Sequence, residues 1–159
     1  IRRNMPRKKV NVEAEPWQYG NRVIQTLEDC PKGSYGFIYC IEDRVSGQRY
    51  IGKKALHSYR TKRVKKLNER TGRINTVREV EVLESNWQQY YGSSLEIKDL
   101  IKSRGSRKDF MRYIIRFCFS KKELTFREIQ EQCKADVLDN DQYINSNIAG
   151  KFFKGEFKL

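Results

Sequence analysis

The chain contains 159 residues with a formal net charge of +13 and an isoelectric point near 9.7. A chain of this length normally forms one domain. Its apolar runs are far too short for a transmembrane helix, and no signal peptide precedes its basic start. We therefore expect a cytoplasmic protein. The excess of lysine and arginine favours a polyanionic partner, nucleic acid first and an anionic membrane surface second.

The first 34 residues are predicted to form a basic arm and a segment that docks on the rest of the chain. Residues 1–12 are rich in arginine and lysine. Trp17 and Tyr19 can fasten this arm to the domain, and residues 22–29 can form a short helix before a Pro- and Gly-containing turn. We therefore expect a division between this arm and a domain at 35–159.

The stretch YGFIYCIEDRVSGQRYIGKK, at residues 35–54, is predicted to form a β-hairpin. Its first run is aromatic and β-branched, and its second follows a polar turn that Gly47 closes. Gly52 then allows the backbone to approach a neighbour or a ligand closely. Lys53 and Lys54 follow, and a hairpin that served only to pack a core would not need two cations there.

A strongly basic insertion is predicted at about residues 53–84. Between positions 53 and 78 the chain has ten lysines and arginines against a single acid, Glu69. A segment with so few apolar residues cannot bury much core and is suited to lie along a phosphate backbone; the alternative is a solvated loop. The cations that we expect to contact DNA are Lys53, Lys62, Arg63, Lys65, Lys66 and Arg70.

The second half of the chain is predicted to supply a helix and the third strand of the sheet. Ser93 or Ser94 can cap a helix that ends near Gly105. Residues 110–119, FMRYIIRFCF, are dense in aromatic and β-branched side chains and form the predicted third strand. Two arginines are expected to share the more polar face of this strand, Arg112 and Arg116. The predicted fold is therefore α+β, with a small antiparallel three-stranded sheet flanked by helices.

A second helix is predicted to begin at a capping box formed by Ser120 and Glu123. An apolar stripe at helical spacing is expected to point into the core: Phe126, Ile129, Cys133 and Val137. Glu128 lies about a hundred degrees from Ile129 around the helix, at the margin of the stripe, where its carboxylate can lean over the sheet and hold a cation. Glu131, the competing carboxylate, falls further round the solvent face.

The hairpin resembles the paired signature of the GIY-YIG nuclease family. FIY at 37–39 and YIG at 50–52 place Tyr39 and Tyr50 eleven positions apart, although Phe37 stands where the family has glycine. The later segment NWQQYYGSS is similar to a stretch that accompanies YIGKK in phage-encoded members. The resemblance implies a small antiparallel sheet flanked by helices, with both tyrosines beside a scissile phosphate.

The same resemblance nominates the other site residues. Arg60, ten positions after Tyr50, matches the family arginine and would clamp a nonbridging phosphate oxygen. Glu128 matches the metal-binding glutamate and would hold one Mg²⁺ or Mn²⁺, a hard cation suited to carboxylate and phosphate oxygens. The late asparagine of the family corresponds to Asn145 or Asn147.

One tyrosine of the pair is expected to orient or deprotonate the attacking water, and the choice between Tyr39 and Tyr50 stays open. The reference pKa of tyrosine is near 10, so the phenolate is scarce at neutral pH unless nearby cations favour it. Three cations are expected to supply that bias: Lys53, Lys54 and Arg60. His57 is either a surface or packing residue or, within this segment, a phosphate contact or proton shuttle.

The predicted function is that of a metal-dependent endonuclease, phage-encoded and of the homing type, which hydrolyses phosphodiester bonds in double-stranded DNA without a small-molecule cofactor. The alternative is a non-catalytic basic module that grips nucleic acid, with the tyrosines as hairpin core; a third possibility is a packaging protein. Affinity does not separate these because each depends on neutralised phosphates and therefore on salt. Nicking of DNA that depends on a divalent cation distinguishes the nuclease from the other two.

Overall fold

The computed structural model of the protein describes residues 14–157 and has an α+β architecture. A five-stranded sheet has one helix packed on each face, a two-stranded ribbon leaves its edge, and a second pair of short strands lies near the C-terminal end. The predicted basic arm at residues 1–12 lies outside the described residues.

The main sheet contains β1 (Trp17–Tyr19), β2 (Arg22–Ile24), β3 (Gly36–Asp43), β4 (Arg49–Ala55) and β7 (Phe110–Cys118). The ribbon pairs β5 (His57–Leu67) with β6 (Ile74–Glu84), and the short strands are β8 (Asn147–Ile148) and β9 (Phe152–Phe153). The helices are α1 (Leu95–Arg104) and α2 (Lys121–Lys134), and 3-10 turns cover Leu27–Asp29 and Trp87–Gln89. The sheet order is β2-β1-β7-β3-β4, antiparallel except where β1 meets β7.

The predicted hairpin of β3 and β4 is confirmed, with an unshifted antiparallel register. Its turn is held by Asp43, whose carboxylate accepts hydrogen bonds from the Val45 amide at 3.0 Å and the Ser46 hydroxyl at 2.7 Å. The same carboxylate pairs with Arg104 Nη2 at 2.7 Å. Because Arg104 is the last residue of α1, this buried contact ties the hairpin turn to the helix.

The prediction of a three-stranded sheet was wrong in strand number. The predicted third strand does lie beside β3, as β7, but β1 and β2 extend the sheet beyond it. Residues 22–29, expected to be helical, contain β2 and a single 3-10 turn. Strands of three residues carry no periodic pattern, and the parallel pairing of Gln18 with Tyr113 joins positions far apart in the chain.

A β-bulge in β7 separates two arginines that were expected to share a face. The register of β3 on β7 shifts between Ile38 and Tyr39, which pair with Arg116 and Ile114. Arg112 therefore turns toward α1, where it is 2% exposed and donates to the Gln88 and Tyr90 carbonyls at 2.9 Å. Arg116 turns toward α2 instead, with Nη1 3.8 Å from a carboxylate oxygen of Glu131. One extra residue in a strand reverses which face of the sheet the following side chains point to.

The helix ends follow their predicted capping signals. The Ser94 side chain accepts a hydrogen bond from the Ile97 amide, and Gly105 ends α1 with a φ of 69°. The Ser120 hydroxyl accepts one from the Glu123 amide at 3.0 Å at the start of α2. Within residues 14–157, no helix combines the length and apolar character needed to cross a membrane.

The buried face of α2 differs from the predicted stripe. Leu124 and Gln132 are buried, whereas Phe126 is 56% exposed and Cys133 is also exposed. Ile129 packs at the border of the core. Glu128 lies midway between Leu124 and Gln132 at a spacing of four residues, so it falls in the middle of the face that meets the sheet, and not at its margin.

We expect the β1 and β2 extension to be essential for stability, because Trp17 is fully buried and its Nε1 donates to the Trp87 carbonyl at 2.8 Å. Trp17→Ala should lower the free energy of unfolding by about 3–5 kcal/mol. Val23→Ala is the matched control on β2, since Val23 is 46% exposed, and should change it by less than about 0.5 kcal/mol. Urea denaturation measures both. Equal effects would show that these strands are peripheral.

Candidate active site

A cleft of about 400 Å³ opens at the free edge of the main sheet. β4 is the edge strand, so side chains from both of its faces can meet there. β4 contributes Tyr50 from the face that packs toward α1 and Lys53 from the face that packs toward α2. The other walls are the start of α1, the middle of α2 and residues 145–150. The lining side chains with chemistry to offer are Tyr50, Lys53, Glu96, Glu128, Gln132 and Asn145.

Tyr39 lies directly behind Tyr50, across Gly52. Tyr39 and Gly52 are partners in the β3–β4 register. A Cβ atom on Gly52 would lie 2.5 Å from the Tyr39 hydroxyl oxygen and 3.0 Å from a ring carbon of Tyr50. The two tyrosine ring centroids are 6.3 Å apart. The glycine of the YIG triplet therefore provides the space that both rings occupy.

Both tyrosines are kept neutral by burial. Burial raises the pKa of Tyr39 well above its ordinary value, and the neighbouring Tyr90 and Tyr50 add to the shift. Burial also raises the pKa of Tyr50, although a hydrogen bond with Ser94 opposes it. The expectation that nearby cations would favour the phenolate was therefore wrong for this structure. Desolvation is the largest cause of both pKa shifts, and the nearby Glu128 carboxylate raises both pKa values further.

Glu128 faces the cleft with its side chain 18% exposed, and one carboxylate oxygen is 3.7 Å from Lys53 Nζ. Burial raises the pKa of Glu128, and Lys53 partly offsets the effect. Lys53 Nζ also donates to the Thr125 hydroxyl at 3.3 Å. A half-desolvated carboxylate with one loosely held cation beside it has spare capacity for a second positive charge.

Asn145 holds the backbone of the edge strand. Its Oδ1 accepts from the Ile51 amide at 3.0 Å, and its Nδ2 donates to the Ile51 carbonyl at 2.8 Å. Gln132 Nε2 donates to the same carbonyl at 3.1 Å. Asn145 is 2% exposed, so the predicted DNA contact does not fit its position. Asn147 lines the cleft, and its Oδ1 accepts from the Gly150 amide at 2.9 Å, which leaves it in a turn-capping role.

The remaining predicted site residues lie outside the cleft. Lys54 Nζ donates to Asn86 Oδ1 at 2.8 Å and lies 4.2 Å from the Tyr90 ring centre. His57 begins the ribbon, and Arg60 is exposed three residues along it, opposite Glu81. The structure thus brings Tyr39, Tyr50, Lys53 and Glu128 together, and places Arg60 on the ribbon.

The predicted DNA-contacting cations beyond the hairpin all belong to the ribbon or its turn, which the sequence suggested only as a basic insertion. Lys62 pairs with Glu81, and Lys66 pairs with Glu79. Three others are exposed without an ion pair among the described residues: Arg63, Lys65 and Arg70. The basic segment is therefore an ordered two-stranded ribbon, and not a solvated loop.

Comparison with known families agrees with this geometry. A family model described as "Putative endonuclease segE, GIY-YIG domain" matches residues 17–148. The chain belongs to the GIY-YIG nuclease family. No curated protein and no solved structure matches it. The family match begins at β1, which agrees with the place of β1 and β2 in the main sheet.

For a GIY-YIG protein, this cleft contains several residues that sequence reasoning missed. Glu96, in the first turn of α1, is a second carboxylate; its pKa is lowered by a backbone hydrogen bond and by the Ser146 hydroxyl. Its only sequence signal is its place two residues after the helix cap. Gln132 carried a clearer signal, because it lies four residues after Glu128. Glu131, expected on the solvent face, instead turns toward the sheet and pairs with Arg116.

The cleft suits a hydrated divalent cation. No cluster of three or more His, Cys, Asp or Glu side chains exists among residues 14–157, so a site with many protein ligands does not fit. Mg²⁺ typically uses one or two carboxylates and completes its shell with water and substrate phosphate, and Glu128 and Glu96 line the cleft. Gln132 Oε1 is buried without a donor among the described residues, which leaves an acceptor for a bound water.

We expect Gly52→Ala to destabilise the protein by about 1–3 kcal/mol, because the new methyl group overlaps the Tyr39 side chain. In a Tyr39→Phe background, which removes the nearest atom, the same substitution should cost less. The difference is a coupling energy of about 0.5–3 kcal/mol, measurable by urea denaturation of the four proteins in the cycle. Strictly additive effects would show that Tyr39 does not occupy the space above Gly52.

Proposed function

We propose that this GIY-YIG protein is a metal-dependent endonuclease that hydrolyses phosphodiester bonds in double-stranded DNA. The observation that carries the proposal is the meeting of Tyr50, Lys53 and Glu128 in one cleft at a free sheet edge. β4 leads from this cleft through Leu56 directly into the basic ribbon. A phosphate backbone that lies along the ribbon therefore passes the cleft.

Glu128 is the proposed ligand of one Mg²⁺ or Mn²⁺, with Glu96 as a second carboxylate of the same cleft. When bound, the cation supplies neutralisation of the charge that develops on the phosphate and on the departing oxygen. Lys53 balances Glu128 in the absence of the cation. Beside this carboxylate, the Lys53 ammonium would be placed to pair with a nonbridging phosphate oxygen.

Tyr50 is the proposed partner of the attacking water. It lines the cleft, whereas Tyr39 is 1% exposed and packs against Trp17, Tyr50 and Tyr90. A phenol is already neutral at pH 7 with an ordinary tyrosine pKa, and burial raises the pKa of Tyr50 further, so in this state the hydroxyl orients the water by a hydrogen bond. Tyr39 acts as a positioning residue, since its ring fixes the place of Tyr50.

The substrate is proposed to approach from the ribbon side. His57 and Arg60 lie near the base of the ribbon, on β5, which follows the cleft strand β4 in the chain. They are proposed to contact phosphates adjacent to the scissile one. Lys54 lies beneath, with its ammonium over Tyr90, and its pKa is lowered by burial. Its proposed role is to support the aromatic wall behind Tyr39.

A phage-encoded enzyme of the homing type is the proposed biological setting. It is supported by the likeness of NWQQYYGSS and YIGKK to phage-encoded members and by the endonuclease description of the matching family. No small-molecule cofactor is proposed, because carboxylates, a phenol and one divalent cation supply the chemistry of hydrolysis. Sequencing the ends of cleaved genomic DNA would test the homing assignment: a single long target supports it, and scattered ends contradict it.

Supercoiled plasmid should be nicked in Mg²⁺ and left intact in EDTA. Glu128→Gln should reduce the rate by roughly 10² or more, because the site loses the charge that holds the cation. Glu131→Gln is the matched control, since Glu131 is three residues away on α2 and pairs with Arg116 and Lys134; it should retain activity. Thermal unfolding of both variants checks the fold.

Two outcomes would contradict the proposal at different points. Full activity in a folded Glu128→Gln protein would remove the metal site. Tight, salt-sensitive binding of DNA by the wild-type protein without any cutting in Mg²⁺ or Mn²⁺ would favour the non-catalytic binding module.

Metal affinity should depend on pH through Glu128. Only the ionised carboxylate binds the cation, and burial raises the Glu128 pKa above its ordinary value of 4.5. Binding is therefore strongest at a pH above this raised pKa, and below it each unit of pH should weaken binding by up to about tenfold. Calorimetric titration of Mn²⁺ at a series of pH values measures this, with Glu128→Gln as control. An affinity in the wild type that does not fall as the pH is lowered would contradict the assignment.

A further inference from the structure

The ribbon is long enough to act as a separate recognition element. β5 and β6 pair without a register shift from His57 opposite Glu84 to Leu67 opposite Ile74. Each strand has 11 residues, and at about 3.3 Å per residue the ribbon spans roughly 35 Å. Alternate side chains point to opposite faces, so the ribbon has two faces, and their charges differ.

One face neutralises its own cations, and we call it the ion-paired face. Lys62 Nζ lies 2.7 Å from a carboxylate oxygen of Glu81, and Lys66 pairs with Glu79. Arg60, on the same face, lies directly opposite Glu81. Each cation of this face therefore either pairs with a glutamate of the same face or lies directly opposite one.

The opposite face carries cations and a single acid, Glu84 at the ribbon base, whose carboxylate accepts hydrogen bonds from Trp87 and Gln88. We call it the cationic face, and the residues used below are Tyr59, Arg63, Lys65, Arg78, Val80 and Val82. Arg63 and Arg78 are direct cross-strand partners. Like charges placed directly opposite one another destabilise a ribbon. Within residues 14–157 neither arginine makes an ion pair, so this repulsion is relieved only by an external anion.

The apolar side chains of the cationic face are also open to water. Tyr59 is 54% exposed, Val80 64% and Val82 53%. Base edges in the major groove offer acceptors to arginine and thymine methyl groups to apolar side chains. A phosphate surface alone would use the arginines and leave the valines without a partner.

We infer that the cationic face enters the major groove of double-stranded DNA, with the ion-paired face directed outward to solvent beyond Arg60, which lies near the ribbon base. This inference rests on the proposed function, which identifies double-stranded DNA as the molecule that reaches the cleft. The major groove is about 12 Å wide and admits a two-stranded ribbon, whereas the major groove of double-stranded RNA is too deep and narrow for side chains to read. Arg63 and Arg78 contact base edges, and Lys65 contacts the flanking phosphates.

The test compares two variants of the full-length chain that lose the same charge. Arg63→Gln/Arg78→Gln removes two cations from the cationic face, and Lys62→Gln/Lys66→Gln removes two from the ion-paired face. Affinity for a fluorescent 30-base-pair duplex is measured by anisotropy in EDTA, over a series of salt concentrations, so that cleavage plays no part. The same measurements are made on a duplex of equal sequence in which 7-deazaguanine replaces guanine and on the matching RNA duplex.

The cationic-face variant should bind DNA at least about tenfold more weakly than the ion-paired-face variant, since it alone loses bonds to bases. The 7-deazaguanine duplex, which lacks the N7 acceptor in the major groove, should weaken binding by the wild type and leave the cationic-face variant unchanged. Removing the facing arginines should also raise the melting temperature of the free protein, because their repulsion is lost. The wild type should bind RNA more weakly than DNA.

Equal losses of affinity in the two variants would overturn the inference, as would a wild-type protein that does not distinguish the 7-deazaguanine duplex from the ordinary one. These outcomes are separate from failure of the nuclease proposal. If the wild type cuts plasmid and both variants bind alike, the nuclease stands and the groove-reading ribbon fails. If the variants differ as expected and nothing is cut, the ribbon stands and the chain is a binding module.

Discussion

The candidate site depends on how the protein closes the free edge of its sheet. An edge strand normally presents unpaired backbone groups that can recruit another strand. Here the amide and carbonyl of Ile51 are both bonded to Asn145, and the carbonyl also accepts from Gln132. These side chains replace one residue of a neighbouring strand, and they fix the backbone between Tyr50 and Gly52. Together with the backbone hydrogen bonds of Arg49 to Gln142 and Ile144, they occupy the part of the edge that lies beside the cleft.

The positions and the protonation state of Tyr39 and Tyr50 depend on packing more than on nearby charges. Gly52 leaves room for the Tyr39 hydroxyl, and the Tyr39 ring supports Tyr50 from behind. Burial raises the pKa of both phenols, so the two tyrosine hydroxyls of the free protein are neutral hydrogen-bonding groups. A phenolate would require an additional positive charge close to Tyr50. Lys53 pairs with Glu128, and Lys54 is turned toward Asn86 and Tyr90.

Local sequence signals predicted the elements that are formed by local interactions. The hairpin, the caps at Ser94 and Ser120, and the strand at β7 follow from turn residues and hydrophobic runs within about twenty residues. The family resemblance nominated Tyr39, Tyr50 and Glu128, which the fold brings to one edge. Contacts between distant segments escaped prediction: the sheet extension by β1 and β2, the bulge in β7, and the bonds from Asn145 to Ile51 have no periodic pattern.

The buried face of α2 and the paired strands of the ribbon were both missed, for a common physical reason. The predicted stripe placed Phe126 and Cys133 inward, but α2 buries Leu124 and Gln132 instead, with Gln132 bonded to Ile51 of β4, and Phe126 is exposed. The basic segment was expected to lie along a phosphate backbone, with a solvated loop as the alternative, and its two paired strands were not predicted because no core-facing alternation marks them. In both cases the pattern of apolar residues in the sequence did not reveal which side chains the core would bury.

The separation of ribbon and cleft resolves a conflict between two electrostatic requirements. A polyanionic substrate is attracted by positive charge, whereas a divalent cation needs a site of negative potential. If the cations of residues 53–78 surrounded Glu128, they would compete with the metal for that carboxylate and lower its affinity. The fold instead leaves one lysine, Lys53, beside two carboxylates, Glu96 and Glu128, in the cleft. It carries the cations that follow Lys54 away along a ribbon anchored at the same strand, so under the proposed function DNA would be attracted without removing the charge that a metal would need.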